Sequence, residues 1–189
     1  MTSQTQYWNR LIQPGIVALV GAGGKTTVLS KLVEYGRLQG RPIVVTTTTH
    51  LYESQVAQYE PIYTKNINDV DEYCTKRIQQ GYCGAWFNGI TRTKVDAVDC
   101  ESIDGLSALH PNWQIVVEAD GAKEKWLKAP KHTEPVIPSQ TKTTIGVVNL
   151  QMLGASLDED HVHNLELVQS IVHREEGAIV TPHMLAQIV

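Results

Sequence analysis

The chain has 189 residues, 42% of them hydrophobic and 19% charged, with a formal net charge of -4 at pH 7. That length and apolar fraction suit one globular domain with a packed core and exclude a disordered chain. The acidic balance supplies no global positive field for a polyanion, so nucleic acid is not an expected partner.

The opening stretch, MTSQTQYWNRLIQPG, lacks the basic start, apolar run and cleavage site of a signal peptide. No later stretch reaches the ~18 uninterrupted apolar residues of a membrane span. A cytoplasmic protein without membrane contact is therefore expected. Cys74, Cys83 and Cys100 are odd in number and form no CxxC pair, which points to reduced thiols and away from a disulfide framework or structural zinc.

In chain order, Tyr7, Trp8, Leu11 and Ile12 form an apolar stripe at helical spacing, ended by Pro14-Gly15. The continuous apolar run Ile16 to Val20 predicts a strand buried on both faces. A helix with Leu29, Leu32, Val33 and Gly36 inward follows, ending near Gly40, and Pro42 opens the strand IVVTTTT. Asp69 to Gln80 reads as a helix, Cys83 to Thr91 as a strand running into a turn, and Gln114 to Val117 as a strand. Gly121 to Ser139 is rich in Lys and Pro and predicts a long functional loop. The strand TIGVVNL comes next, then a helix with Val162, Leu165, Val168 and Val172 on one side and Asp158, Glu159 and Asp160 at its positive end. A last helix begins at His183, but the sequence stops at Val189 without a cap or following strand. Either the natural chain ends there or a longer one has been cut. The expected fold is α/β, a mainly parallel sheet flanked by helices, as one domain over residues 1–189.

The strongest motif is GAGGKTT, set between a buried strand and a helix. There Gly21, Gly23 and Gly24, with Ala22 between them, turn backbone N–H groups toward a polyphosphate. Lys25 is expected to neutralise the β and γ phosphates, Thr26 to place its hydroxyl on Mg2+, and Thr27 to approach the α-phosphate side. Leu19 stands where the full G-x-x-x-x-G-K-[ST] pattern has its first glycine, so the loop is a shortened variant.

QIVVEADGA then brings Glu118 and Asp120 to a strand's carboxyl end. Their i, i+2 spacing aims both the same way in an extended chain, one toward metal-bound water and one toward catalytic water. In TTTTHL, Thr49 and His50 are the candidates to reach the same crevice. The segment GAKEKWLKAPKHTEPVIPS collects Lys123, Lys125, Lys128, Lys131 and His132, a local positive loop able to clamp phosphate or an anionic substrate. His161 and His163 on a helix would diverge by about 200° and are not expected to share a metal.

Together GAGGKTT, VTTTTHL, VEADGAKEKWLKAPKHTEPVIPS, VHNLELV and IVTP resemble the selenium-dependent molybdenum hydroxylase accessory proteins of the YqeC type, over nearly the whole chain. The resemblance implies a bacterial P-loop NTPase fold of the signal-recognition and MinD-like class, binding Mg2+ with ATP or GTP and assisting maturation of a selenium-dependent molybdenum hydroxylase. By position it carries the nucleotide loop onto Gly21 to Thr27, the acidic strand end onto Glu118 and Asp120, and the loop motif onto Lys128, Pro130, His132, Glu134 and Pro135. Two departures stand out: the family's His-Arg reads His163-Asn164 here, and its following strand, with the base-selecting segment, is missing. The short loop and the Thr-rich segment also resemble the central domain of Mur and folylpolyglutamate ligases, whose further carboxy-terminal domain has no room in 189 residues. A module that binds nucleotide only to stabilise an interface is the third reading.

Overall fold

In the computed structural model of the protein, residues 7–8 and 10–188 are described. The amino-terminal stretch considered as a signal peptide, and the stop at Val189, lie partly or wholly outside them. Residues 7–8 and 10–11 are helical, and Trp8 stacks on Tyr35 with ring centroids 5.6 Å apart.

The elements in order are β1 (Gly15–Gly21), α1 (Lys25–Leu38), β2 (Ile43–Thr47), β3 (Leu51–Tyr52), α2 (Glu53–Val56), β4 (Ile62–Tyr63), α3 (Ile67–Gln79), β5 (Gly84–Phe87), β6 (Gly89–Thr91), β7 (Lys94–Asp96), α4 (Cys100–Leu109), β8 (Gln114–Glu118), β9 (Leu127–Lys128), β10 (Thr141–Val147), β11 (Val162–His163), α5 (Leu165–Val172) and α6 (Pro182–Ile188). Six strands form one sheet in the order β10-β1-β8-β2-β5-β4, and each neighbouring pair is parallel. The fold is α/β, a mainly parallel sheet flanked by helices.

Strand alternation divides the core into two layers. Val17, Leu19, Ile43, Val45 and Val116 pack with Leu29, Leu32 and Val33 of α1. Ile16, Val44, Ile115 and Val117 face the other way, against Val70 and Cys74 of α3 and Ile103 and Leu106 of α4. Asn66 caps α3 by accepting from Asn68 N, and Asp99 caps α4 by accepting from Ser102 N, each satisfying an otherwise orphaned amide. Cys74 and Cys83 are buried free thiols, and burial pushes Cys74 up to about 12.

Three features differ from the expectations. The helix α4 carries only a weak sequence signal, because Ile103 and Leu106 alone mark its buried face and it contains Gly105, a poor helix former. Strand β10 runs from Thr141 to Val147, starting three residues before the expected TIGVVNL, because it is the sheet's edge and its alternate residues face solvent.

The third difference is at the helix expected to contain Val162. It starts only at Leu165, because Asn164 adopts a left-handed conformation (φ 62°) that interrupts the helix. Val162 instead belongs to β11, which pairs in parallel with β9 inside the Lys-Pro segment. Asp158 folds a turn by accepting from His161 N, so the acidic triplet does not cap α5. His161 and His163 are thus not helical neighbours.

A third apolar cluster, with Leu127, Met152, Val162, Val168, Val172 and Met184 among its members, anchors the Lys-Pro segment from below. Among the described residues no helix is long and apolar enough to cross a membrane.

Candidate nucleotide site

Strands β1 and β8 are neighbours in register, with Leu19 opposite Glu118, so the glycine loop after one and the acidic turn after the other emerge side by side at the sheet's carboxyl edge. That edge is where open parallel sheets bind ligands. Gly21, Gly23 and Gly24 have φ of 99°, 70° and 150°. A Cβ on Gly21 would stand 2.3 Å from Val147 O, and one on Gly23 would stand 2.4 Å from Asn149 Cβ. Only glycine fits there. Helix α1 then begins at Lys25 without a side-chain cap at Gly24, which leaves the amino-terminal N–H groups available to an anion.

A cleft of about 650 Å³ opens over this edge. Gly23, Gly24, Lys25 and Thr26 line one part of it, and Glu118, Thr49 and His50 line another. Ala22 is buried and, with Gly21 and Asp120, borders a separate apolar cavity of about 180 Å³ behind the loop. Thr27 is exposed on α1. His132 is exposed as well, outside the residues that line the cleft.

The charged centre is buried. Lys25, only 5% exposed, donates to Gly21 O at 2.6 Å and lies 2.9 Å from Asp120 Oδ1 and 3.8 Å from Glu118 Oε1. Asp120 also accepts from Gly21 N at 3.0 Å and lies 3.3 Å from Lys128 Nζ. Lys128, 4% exposed, donates to Gly121 O at 2.7 Å and to Glu134 Oε2 at 2.6 Å. The result is a chain of alternating charge from Lys25 through Asp120 and Lys128 to Glu134. Lys128 is therefore a buried bridge between the acidic turn and the Lys-Pro segment.

Three threonine hydroxyls of the Thr-rich segment are spent on backbone. Thr46 donates to Trp86 O, Thr47 to Glu118 O and Thr48 to Val136 O. They tie β5, β8 and the Lys-Pro segment to β2. Thr49 is the one that lines the cleft. The ring of His50 is 3.3 Å from Val95 O. Gln55, Asn149 and Lys94 also line the cleft, and Gln55 Nε2 donates to Thr26 Oγ1 at 3.4 Å. Sequence reasoning missed these three, since no local motif marks them and only tertiary folding brings them to the glycine loop.

Burial pushes Glu118 up to about 7 from 4.5, against the pull of Lys25 and with help from Asp120. Folded Glu118 therefore keeps its proton where an unfolded glutamate has lost it. Between pH 4.5 and about 7 the folded state binds more protons, so stability must fall as pH rises through that window. Glu118→Gln, which mimics the protonated form, is expected to flatten this slope and to be more stable than the parent at pH 8, by on the order of 3 kcal/mol. Urea unfolding midpoints at pH 5 and pH 8 in metal-free buffer measure it. A parent slope unchanged in the variant would remove Glu118 as its source.

Asp120 Oδ1 is buried and receives no directed hydrogen bond, despite its closeness to the Lys25 ammonium. Among the described residues no group of three or more His, Cys, Asp or Glu side chains forms a metal cage. Mg2+ needs only one or two carboxylates when phosphate oxygens and water complete its shell. The Thr26 hydroxyl, on the cleft, and the Asp120 carboxylate, at the cavity behind the loop, are oxygen donors of the type such an ion takes.

The YqeC protein family matches residues 17–166 of this chain. The Escherichia coli (strain K12) protein described as "Uncharacterized protein YqeC" is 31% identical over 152 residues, which is 80% of this chain and 58% of that protein. The chain thus spans less than two thirds of that relative's length. No solved structure matches it. With the family's match reaching from β1 to the start of α5, this chain is a member of the YqeC family.

Proposed function

We propose that this protein is a P-loop NTPase-like accessory protein that binds a magnesium nucleoside triphosphate, ATP or GTP, on the loop from Gly21 to Thr27. Its fold belongs, on this reading, with the signal-recognition and MinD-like class. The observation that carries it is Lys25, held at the first position of α1 after three positive-φ glycines and ion-paired to the acid that follows the adjacent parallel strand. A buried lysine at a helix amino terminus is costly to keep unless an anion uses it.

The loop amides and the start of α1 bind the phosphates, and Lys25 leaves Gly21 O and Asp120 to follow the β and γ phosphates. Thr26 and Asp120 would hold Mg2+, which when bound neutralises the developing charge on phosphate oxygens. Losing the Lys25 ammonium leaves the Asp120 carboxylate with less compensating charge, so lysine release and cation uptake favour one another. Glu118, which lines the cleft, orients the attacking water and in its ionised form takes its proton. The biological step is maturation of a selenium-dependent molybdenum hydroxylase in the cytoplasm, through contact with the hydroxylase or its maturation machinery.

The test is thermal unfolding against ATP, GTP and their diphosphates, with and without magnesium, paired with assay of phosphate release. A magnesium-dependent upward shift with one triphosphate is expected. No shift with any nucleotide, in a folded protein, sinks the proposal.

A further inference from the structure

The cleft is wider than the glycine loop. It extends to β3, to β7 and to the turn after β8, where Lys94, Lys123, Lys125, Trp126 and His163 line it. The charges along it do not cancel. Lys25 is matched by Asp120 and Glu118, and Glu134 by Lys128. Among the lining residues, Lys94, Lys123 and Lys125 then face only Glu124 as an acid outside those pairs. Lys94 sits over the ring of Tyr52 at 4.9 Å, and Lys125 Nζ donates to Asp160 O, so both are oriented but keep their charge.

The backbone carries a second sign. Lys123 and Glu124 are consecutive non-glycine residues at φ of 48° and 61°, a strained arrangement of the kind that gathers at ligand clamps. They lie just beyond the acidic turn, and Lys123 lines the cleft wall. The wall is firm behind it: β9 pairs with β11 and sets His163 opposite Lys128, and the amides of Trp126 and Leu127 both donate to His161 O.

We propose that this wall, built from Lys123, Trp126 and His163, is a second anion site that takes the phosphate group of a small-molecule substrate held in the same cleft as the nucleotide. The inference rests on the nucleotide reading only for the assignment of the glycine loop to the triphosphate. His163 already senses the local field, since burial first, then Lys123, Lys128 and Lys131, lower its pKa against an opposing pull from Glu134. It is thus biased toward the neutral form, and a phosphate bound beside it would draw the proton back.

The experiment follows the His163 ring by proton NMR during pH titration, with inorganic phosphate as the probe, in free protein and with saturating magnesium diphosphate nucleotide. The signal is assigned by its loss in His163→Gln. Phosphate is expected to raise the His163 pKa by about one unit, as a nearby opposite charge does. The rise should persist in Lys25→Ala and vanish in Lys123→Ala, which should also raise the phosphate-free value by removing a cation.

No phosphate-dependent change at His163 overturns the site. A response lost in Lys25→Ala and kept in Lys123→Ala overturns it too, because the phosphate then sits on the glycine loop. Failure of the nucleotide itself to bind counts against the proposed function alone. The phosphate titration of free protein still decides the second site.

Discussion

Lys25→Ala is expected to abolish stabilisation by magnesium nucleotide while leaving a folded protein. A ligand at ~100 times its dissociation constant adds about 2.7 kcal/mol of stability, and that increment should disappear. Folding survives because the charges around Lys25 have other partners. Asp120 keeps the Gly21 amide at 3.0 Å and the Lys128 ammonium at 3.3 Å. Glu118, already shifted to about 7 by burial, shifts further once its attractive cation is gone, and escapes the penalty by holding a proton. The variant should therefore lose little stability at pH 6 and more at pH 8, where the carboxylate must ionise. Melting curves at both pH values, with and without nucleotide, separate the two effects. Nucleotide shifts equal to those of the parent would show that phosphate binding does not use Lys25, and with it the glycine loop assignment would go.

The parts of the fold legible in the sequence are those whose causes are local. Ile16 to Val20 reads as a doubly buried strand because the run is continuous, and the glycine loop reads as a turn because Gly21, Gly23 and Gly24 occupy conformations that side chains resist. What could not be read depends on partners distant in sequence. Two residues, Leu127 and Lys128, become a strand only because Val162 and His163 arrive beside them. The small antiparallel sheet β3-β7-β6 likewise joins segments too short to announce themselves.

The site follows the same division. Lys25, Glu118 and Asp120 sit in motifs with a mechanism behind each position. Lys94 and Gln55 reach the cleft only through the folded arrangement. For Lys128 the composition of its neighbourhood misleads. Five basic residues in a proline-rich stretch suggest a solvated positive flap, yet this lysine is buried while Lys131 and His132 remain outside.

That burial makes Lys128 the second position where a large effect is expected. Lys128→Met keeps most of the side-chain volume but removes the cation shared by Asp120, Glu134 and Gly121 O. Breaking a buried pair in this way costs about 3–5 kcal/mol. The lower end applies, because Glu134 is partly exposed and can rehydrate, and Asp120 retains Lys25. The loss should be local in its dynamics. Val136 N still donates to Ala119 O and Thr48 Oγ1 to Val136 O, so the far end of the Lys-Pro segment stays attached while residues 129–135 lose hydrogen-exchange protection.

Nucleotide binding should weaken as well, without any contact between Lys128 and phosphate. With one cation fewer, Asp120 holds Lys25 more strongly, and Lys25 is harder to give up to the phosphates. Adding Glu134→Gln should recover part of the stability, since it removes the acid left without its lysine, but none of the nucleotide affinity, which is set at Asp120. His132→Ala, an exposed position, should stay within about 0.5 kcal/mol of the parent and serve as the control. A double-mutant cycle between Lys128 and Glu134, read by urea unfolding and by nucleotide titration, checks both statements. If Lys128→Met binds nucleotide as the parent does, the charge chain ends at stability and Asp120 does not transmit it to Lys25.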